Sequence, residues 1–216
     1  MASKLFSQFQ LGPIELSNRI VVSPMCQYIA DQGKANDWHL MHYGNLSIGA
    51  GALLIFEATH VSAQGRITHE CLGLYDEETE NALHRVVSFC RKHGQAKLGI
   101  QLAHAGRKGS AKTPMQGGAA LQASEQPWET VAPSALAFAD GWHTPKSMTS
   151  EDLVKVKVEF VESAKRAVRL GFDVIELHAA HGYLLNQFTS PLSNHRTDEY
   201  GGCLLYTSDA ADEEDS

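Results

Sequence analysis

The sequence predicts an α/β fold whose parallel strands curl into a barrel, and three observations carry that expectation. Short apolar runs alternate with amphipathic helical stretches, four strands with three helices, which calls for a parallel sheet with right-handed crossovers, either an open doubly wound sheet or a barrel. Neither GxGxxG nor GxxxxGK follows the first run, so the open dinucleotide-binding sheet loses its usual support. Unusual clusters recur at the carboxyl ends of the runs, at residues 23–28, 57–60, 101–108 and 178–183, and in a barrel those ends converge on one mouth.

Each element has its own signal. Residues 19–24 form a short apolar strand stopped by Pro24, and residues 36–51 show helical spacing, with Trp38, Met41 and Leu46 able to share a face. Residues 52–57 read as a second buried strand. After a glycine-containing loop, Leu83, Val86, Val87 and Cys90 make an amphipathic stripe over residues 77–93, closed by Gly94. The third strand spans 97–103. Its helix begins only at Thr149, which forms a capping box with Asp152 ahead of Leu153, Val156 and Phe160. The intervening stretch, 104–148, carries Pro114, Gly117, Gly118, Pro127, Pro133 and Trp142 and is too long for a simple connection. It reads as a partly ordered flap with a short hairpin beside the mouth, or as a decorative excursion.

Composition narrows the function classes. At 216 residues and 43% hydrophobic content the chain can bury one sizeable core. A formal charge of −7 without a face of Lys and Arg argues against a nucleic-acid partner. Cys26, Cys71, Cys90 and Cys203 are widely spaced with no CxxC pair, which fits a reduced protein without disulfides. The N-terminus lacks an apolar leader, and no run approaches the ~20 apolar residues of a membrane span. No membrane partner and a cytoplasmic location are the resulting expectations.

Residues 173–183 hold the most chemistry. Val174, Ile175 and Leu177 form the apolar run of a strand covered on both faces, and Gly182 turns the chain where His178, His181 and Tyr183 accumulate. Two neutral imidazoles can donate to one substrate oxygen, while a phenol with an ordinary pKa near ~10 stays protonated and can give up a proton. A metal site and plain loop polarity are the other two readings of this spacing.

Taken in order, Leu11 through Ile20, Ser23-Pro24-Met25-Cys26-Gln27-Tyr28, His104 through Lys108, His178 through Tyr183 and Asn194 through Gly202 resemble the old yellow enzyme family, in its branch of xenobiotic reductases and thermophilic-type ene-reductases. The likeness covers about residues 4–202. It implies a (β/α)8 TIM barrel holding FMN noncovalently at its mouth, of which about the first four strand–helix units are present. It also implies a flavoprotein NADPH dehydrogenase, an oxidoreductase whose flavin is reduced by NADPH or NADH and reoxidised by an electron-poor alkene in a ping-pong hydride transfer. The alkene is an α,β-unsaturated carbonyl or nitro compound.

The resemblance assigns roles residue by residue. Ser23, Pro24, Met25 and Cys26 line the flavin, Ala58 supplies a small side chain where the ring comes close, and Gln101 meets the ring's pyrimidine edge with donor and acceptor together. Cys26 brings a polarizable thiol near the reactive side. Tyr28 belongs to the substrate pocket. His178 and His181 hold the substrate oxygen, His178 also facing the cofactor, and Tyr183 protonates the α-carbon. Arg107 and Lys108 are weaker candidates for the nicotinamide cofactor's phosphates. No metal is expected.

After Gly202 the text departs from the family. Residues 203–216 are expected to be a non-native, disordered tail, and residues 1–202 the N-terminal half of one FMN-binding barrel domain. The flavin-facing arginine and the phosphate-binding loops are then expected elsewhere, in a homo-oligomeric parent enzyme. The fragment by itself is expected to be inactive, with two open sheet edges. Three rivals remain: an iron–sulfur flavoenzyme of the dienoyl-CoA reductase or amine dehydrogenase type, a metal-dependent barrel hydrolase using His178 and His181 with Glu176 or His104, and a binding-only remnant.

Overall fold

The computed structural model describes residues 3–49 and 51–202, so the expectation for residues 203–216 lies outside the described residues. The chain opens with an antiparallel hairpin of β1 (Phe9–Leu11) and β2 (Ile14–Leu16), turning at Gly12 with φ +55°. No strand was expected here, although the Gly12–Pro13 dipeptide is a turn signal. The hairpin places Leu16 against Ala52, Leu53 and Ile55.

Strand and helix then alternate as expected: β3 (Val21–Val22), α1 (Asp37–Gly49), β4 (Leu53–His60), α2 (Glu77–His93) and β5 (Lys97–Ala103). After the long excursion, which contains β6 (Val131–Ala132) and β7 (Lys146–Ser147), come α3 (Ser150–Leu170), β8 (Val174–Leu177) and α4 (Leu184–Thr189). β3, β4, β5 and β8 form one parallel sheet in that order, so each strand lies beside its predecessor as in a barrel. Leu54, Phe56, Leu98, Ile100 and Leu102 point toward Tyr43, Leu83, Val86, Val87, Cys90, Ala167 and Leu170 of the helices, making the main core.

The two longer caps are local chemistry. Asp76 caps α2 by accepting from the Thr79 amide at 2.8 Å, and Thr149 caps α3 in the expected box with Asp152. Gly94 does close α2, but with φ −86° instead of a left-handed turn. Space explains the glycine: a Cβ there would lie 2.5 Å from Ser47 Oγ and 2.6 Å from the Cys90 carbonyl.

Three expectations need correction, on α1, β4 and β8. The buried face of α1 is His39, Tyr43 and Ser47, not the one through Trp38 and Met41, which are exposed. Tyr43 stacks on Phe56 with centroids 3.8 Å apart, and that contact sets the helix's rotation. β4 runs through His60, so Ala58 lies inside the strand, just past a bulge between Phe56 and Ala58, whereas Gln101 lies within β5 as the expected span 97–103 had it. The flap does hold a short antiparallel pairing, of residues 110–112 with 119–121 across an Ala111–Ala120 bridge, where the Lys112 amide donates to the Ala119 carbonyl at 2.8 Å and the Leu121 amide to the Ser110 carbonyl at 2.9 Å, while β6 and β7 pair in parallel. Finally, β8 is not covered on both faces. It is an edge strand with Val174 and Ile175 half-buried and Leu177 56% exposed, because only β5 pairs with it among the described residues.

Candidate active site

The carboxyl end of the sheet brings most of the expected residues together. Ala58 is in register with Gln101, and Gln101 with Glu176, so the three form one rung, with the Gln101 amide donating to Glu176 Oε1. His178 follows β8 directly and is anchored by its backbone N–H to the Leu102 carbonyl at 2.9 Å. The turn expected at Gly182 has His181 at φ +57° and Gly182 at φ +72°. It is tied down by the buried Gln187, whose Nε2 donates to the Gly182 carbonyl at 2.7 Å and the Ala105 carbonyl at 3.2 Å. A non-glycine residue in the left-handed region persists only when its surroundings hold it there.

This turn gathers the three expected catalytic rings. The His178 ring centroid is 5.2 Å from that of His181 and 4.9 Å from that of Tyr183, both edge to face. The Ala180 amide approaches His178 Nδ1 at 3.4 Å, which favours the neutral tautomer with its proton on Nε2. Burial, then the neighbouring His181 and Lys108, lower the pKa of His178, so the ring is a neutral donor at pH 7. Burial pushes the Tyr183 phenol up to about 12, with Cys26 and Cys71 adding to the shift.

The segment after β3 supplies the other wall. Cys26 lies beside the Ala58 backbone and the Tyr28 side chain, and burial, followed by Cys71 and Glu57, holds its thiol far above the usual range. Tyr28 also rises, again chiefly through burial. Tyr28 and Tyr183 pack with Trp142 of the flap over Ile67, Cys71, Ala105 and Ala111. Upstream of Cys26, Ser23 and Met25 are exposed and Pro24 is half-buried.

Two basic candidates part company. Arg107 Nη1 donates to the carbonyls of Leu136 and Ala137 at 3.3 Å each and so ties the guanidinium to the flap. Lys108 Nζ donates to the His181 carbonyl at 2.9 Å and lies 4.8 Å from the Tyr183 ring centre. Trp142 and the Lys108 contact with His181 had no signal in the sequence, because both acquire their neighbours only when the flap folds back. Among the described residues, no three His, Cys, Asp or Glu side chains are placed to share a metal ion. Glu176 is engaged by Gln101, and His104 Nδ1 accepts from the Gly106 amide, so neither is turned to the partner role the hydrolase reading needs.

A sequentially ordered parallel sheet, with its polar residues gathered at the strands' carboxyl ends, defines a barrel-type enzyme scaffold. Residues 4–205 match the NADH:flavin oxidoreductase / NADH oxidase family, and the chain belongs to that family. It is 48% identical over 204 residues to the NADPH dehydrogenase of Geobacillus thermodenitrificans, an alignment covering 94% of this chain and 55% of that protein. A NADH:flavin oxidoreductase of Gibberella zeae is 46% identical over 205 residues, covering 93% and 49%. Among solved structures, Old Yellow Enzyme from Pichia sp. AKU4542 superposes with a TM-score of 0.80 at 31% identity, covering 94% of this chain and 52% of that one. Morphinone reductase in complex with tetrahydroNAD gives 0.78 at 29%, covering 94% and 56%. The chain therefore spans about half the length of the relatives it matches, and its four units agree with the expected (β/α)8 barrel represented by its first half.

Proposed function

We propose that this chain supplies one half of an FMN-dependent NAD(P)H oxidoreductase, an ene-reductase for α,β-unsaturated carbonyl or nitro compounds. Residues 1–202 are the N-terminal half of its single barrel domain. The carrying observation is the joining of His178, His181 and Tyr183 to the Cys26–Tyr28 wall around the rung of Ala58 and Gln101. That donor set fits FMN: a carboxamide beside a small side chain suits a flat heterocycle that both donates and accepts. Ser23, Pro24, Met25, Cys26, Ala58, Gln101 and His178 would hold it. Bound there, FMN would accept hydride from NADPH or NADH and deliver it to the alkene. The names of the Geobacillus and morphinone reductase relatives, an NADPH dehydrogenase and a tetrahydroNAD complex, support a nicotinamide donor.

The chain's own groups do the rest. His178 and His181 donate hydrogen bonds to the substrate's carbonyl or nitro oxygen and stabilise the negative charge that develops there. Tyr28 borders the same space. Tyr183, kept protonated by burial, gives its proton to the α-carbon, a base strong enough to take it. A cytoplasmic location and a homo-oligomeric complete enzyme belong to the same proposal.

The test is steady-state reduction of 2-cyclohexenone by the complete FMN-loaded enzyme. His178→Ala and His181→Ala are each expected to lower kcat by about 100-fold or more, as for loss of one oxyanion donor. Unchanged turnover in both variants would remove the imidazoles from the reaction.

A further inference from the structure

Glu57 is 1% exposed and has no part in the roles above. It stands at the bulge of β4, between Phe56 and Ala58, and its carboxylate gathers donors from two other elements. Oε1 accepts from the Tyr43 hydroxyl of α1 at 2.9 Å, and Oε2 accepts from the backbone N–H of Gln27 at 3.0 Å. The Tyr43 oxygen in turn accepts from the Glu57 amide at 2.9 Å. His39 Nε2 lies 3.5 Å from Oε1 without completing a hydrogen bond, and its Nδ1 faces Asn36, 3.1 Å from the backbone N–H and 3.0 Å from Oδ1. Burial still raises the carboxyl to about 7, so the hydrogen bonds offset only part of the cost of enclosing it.

Gln27 is the joint of the segment that carries the expected flavin-facing residues. Its side chain donates to the Met25 carbonyl at 2.8 Å and accepts from Trp38 Nε1 at 3.0 Å. One residue before it, Cys26 meets Ala58; one residue after it, Tyr28 holds φ +50°, a conformation a tyrosine keeps only under constraint. The Glu57 carboxylate is thus the tether between the strand under the site and the loop over it.

We propose that Glu57 is a positioning residue, which sets Cys26 and Tyr28 against the flavin by anchoring the Gln27 amide. Its purpose rests on the flavin reading, while the tether itself does not. Amide hydrogen exchange of the chain tests the tether: in Glu57→Leu the Gln27 and Tyr28 amides should exchange at least about tenfold faster, while Leu54 and Leu98 stay protected. Site-resolved alkylation of Cys26 by iodoacetamide should quicken in parallel. Glu57→Gln keeps an acceptor oxygen and should restore both rates to near wild type. Should Glu57→Leu fail to fold, Glu57→Asp, one methylene shorter, should loosen Gln27 in its place. In the FMN-loaded complete enzyme, the long-wavelength flavin band should shift in the loosened variant and return in Glu57→Gln. Unaltered exchange at Gln27, or equal loosening throughout β4 and β5, overturns the proposal. Exchange as expected, with a complete enzyme that takes up no FMN, overturns the flavin reading instead and leaves the tether standing.

Discussion

β4 and β8 belong to one sheet and begin alike, Leu-Leu-Ile against Val-Ile, yet all eight residues of β4 are buried and no residue of β8 is. β4 lies between β3 and β5, under helices on its outer face; β8 has β5 on one side only. Apolar side chains state a capacity for burial, and neighbours decide whether it is used. The same contrast holds for the helices, since the stripe of α2 is closed in the core while Val154, Val158, Val161 and Val168 of α3 face outward. Beside them an apolar groove of about 340 Å³ runs past Phe160, Leu177, Leu184 and Phe188.

The largest expected effect is acid sensitivity of the centre. His39, His60 and His104 are buried there, and burial lowers them to about 4, 4 and 3. The unfolded chain binds their protons near pH 6.5 and the folded chain does not, so the stability they contribute is complete above about pH 6.5 and is lost as pH falls through 4. Each can contribute a slope of up to about 1.4 kcal/mol per pH unit in that window. Glu57, raised to about 7, works the other way, contributing stability at low pH that is lost as pH rises from its unfolded value through 7. Urea midpoints between pH 7.5 and 4 should therefore fall steeply below 6.5; a flat profile down to pH 4.5 would contradict the burial of these rings.

The contrast between strands is sharpened by a pair of substitutions. Phe56→Ala removes a ring stacked on Tyr43 and set edge-on to Phe172 at 5.1 Å, and should cost about 3–5 kcal/mol by urea denaturation. Leu177→Ala should cost within about 0.5 kcal/mol. Comparable losses at both positions would mean that the β8 edge is covered in solution. Smallest in stability is Leu177→Lys, which charges an open edge: light scattering should show less concentration-dependent association, with the urea midpoint nearly unmoved. Unchanged association would place the sticky surface elsewhere.

Legibility followed range. The strand at 97–103, the helix at 77–93 with its stripe, and the Thr149–Asp152 box could all be read because caps and amphipathic spacing lie within a few residues of one another. The ordered motifs likewise announced the family. The rotation of α1 was misread because Trp38 and Met41 look apolar, while the contact that decides it, Tyr43 on Phe56, joins residues that only folding brings together. Glu57 went unread for the same reason. A glutamate at the end of an apolar run carries no local sign that Gln27 and Tyr43 will claim its oxygens.

By itself, then, the sequence determined the alternation of the four main strands with the first three helices, the Thr149 cap, and a set of residues that the proposed reading assigns to a flat ring and a polar oxygen. Those depend on propensities and spacings inside single segments. Tertiary structure alone decided that Ala58 and Gln101 share a rung, that a left-handed His181 turns its ring beside His178, and that β4 is enclosed while β8 is open. The reason is that strand register, turn conformation and burial are set by partners tens of residues away, whose positions no local pattern encodes.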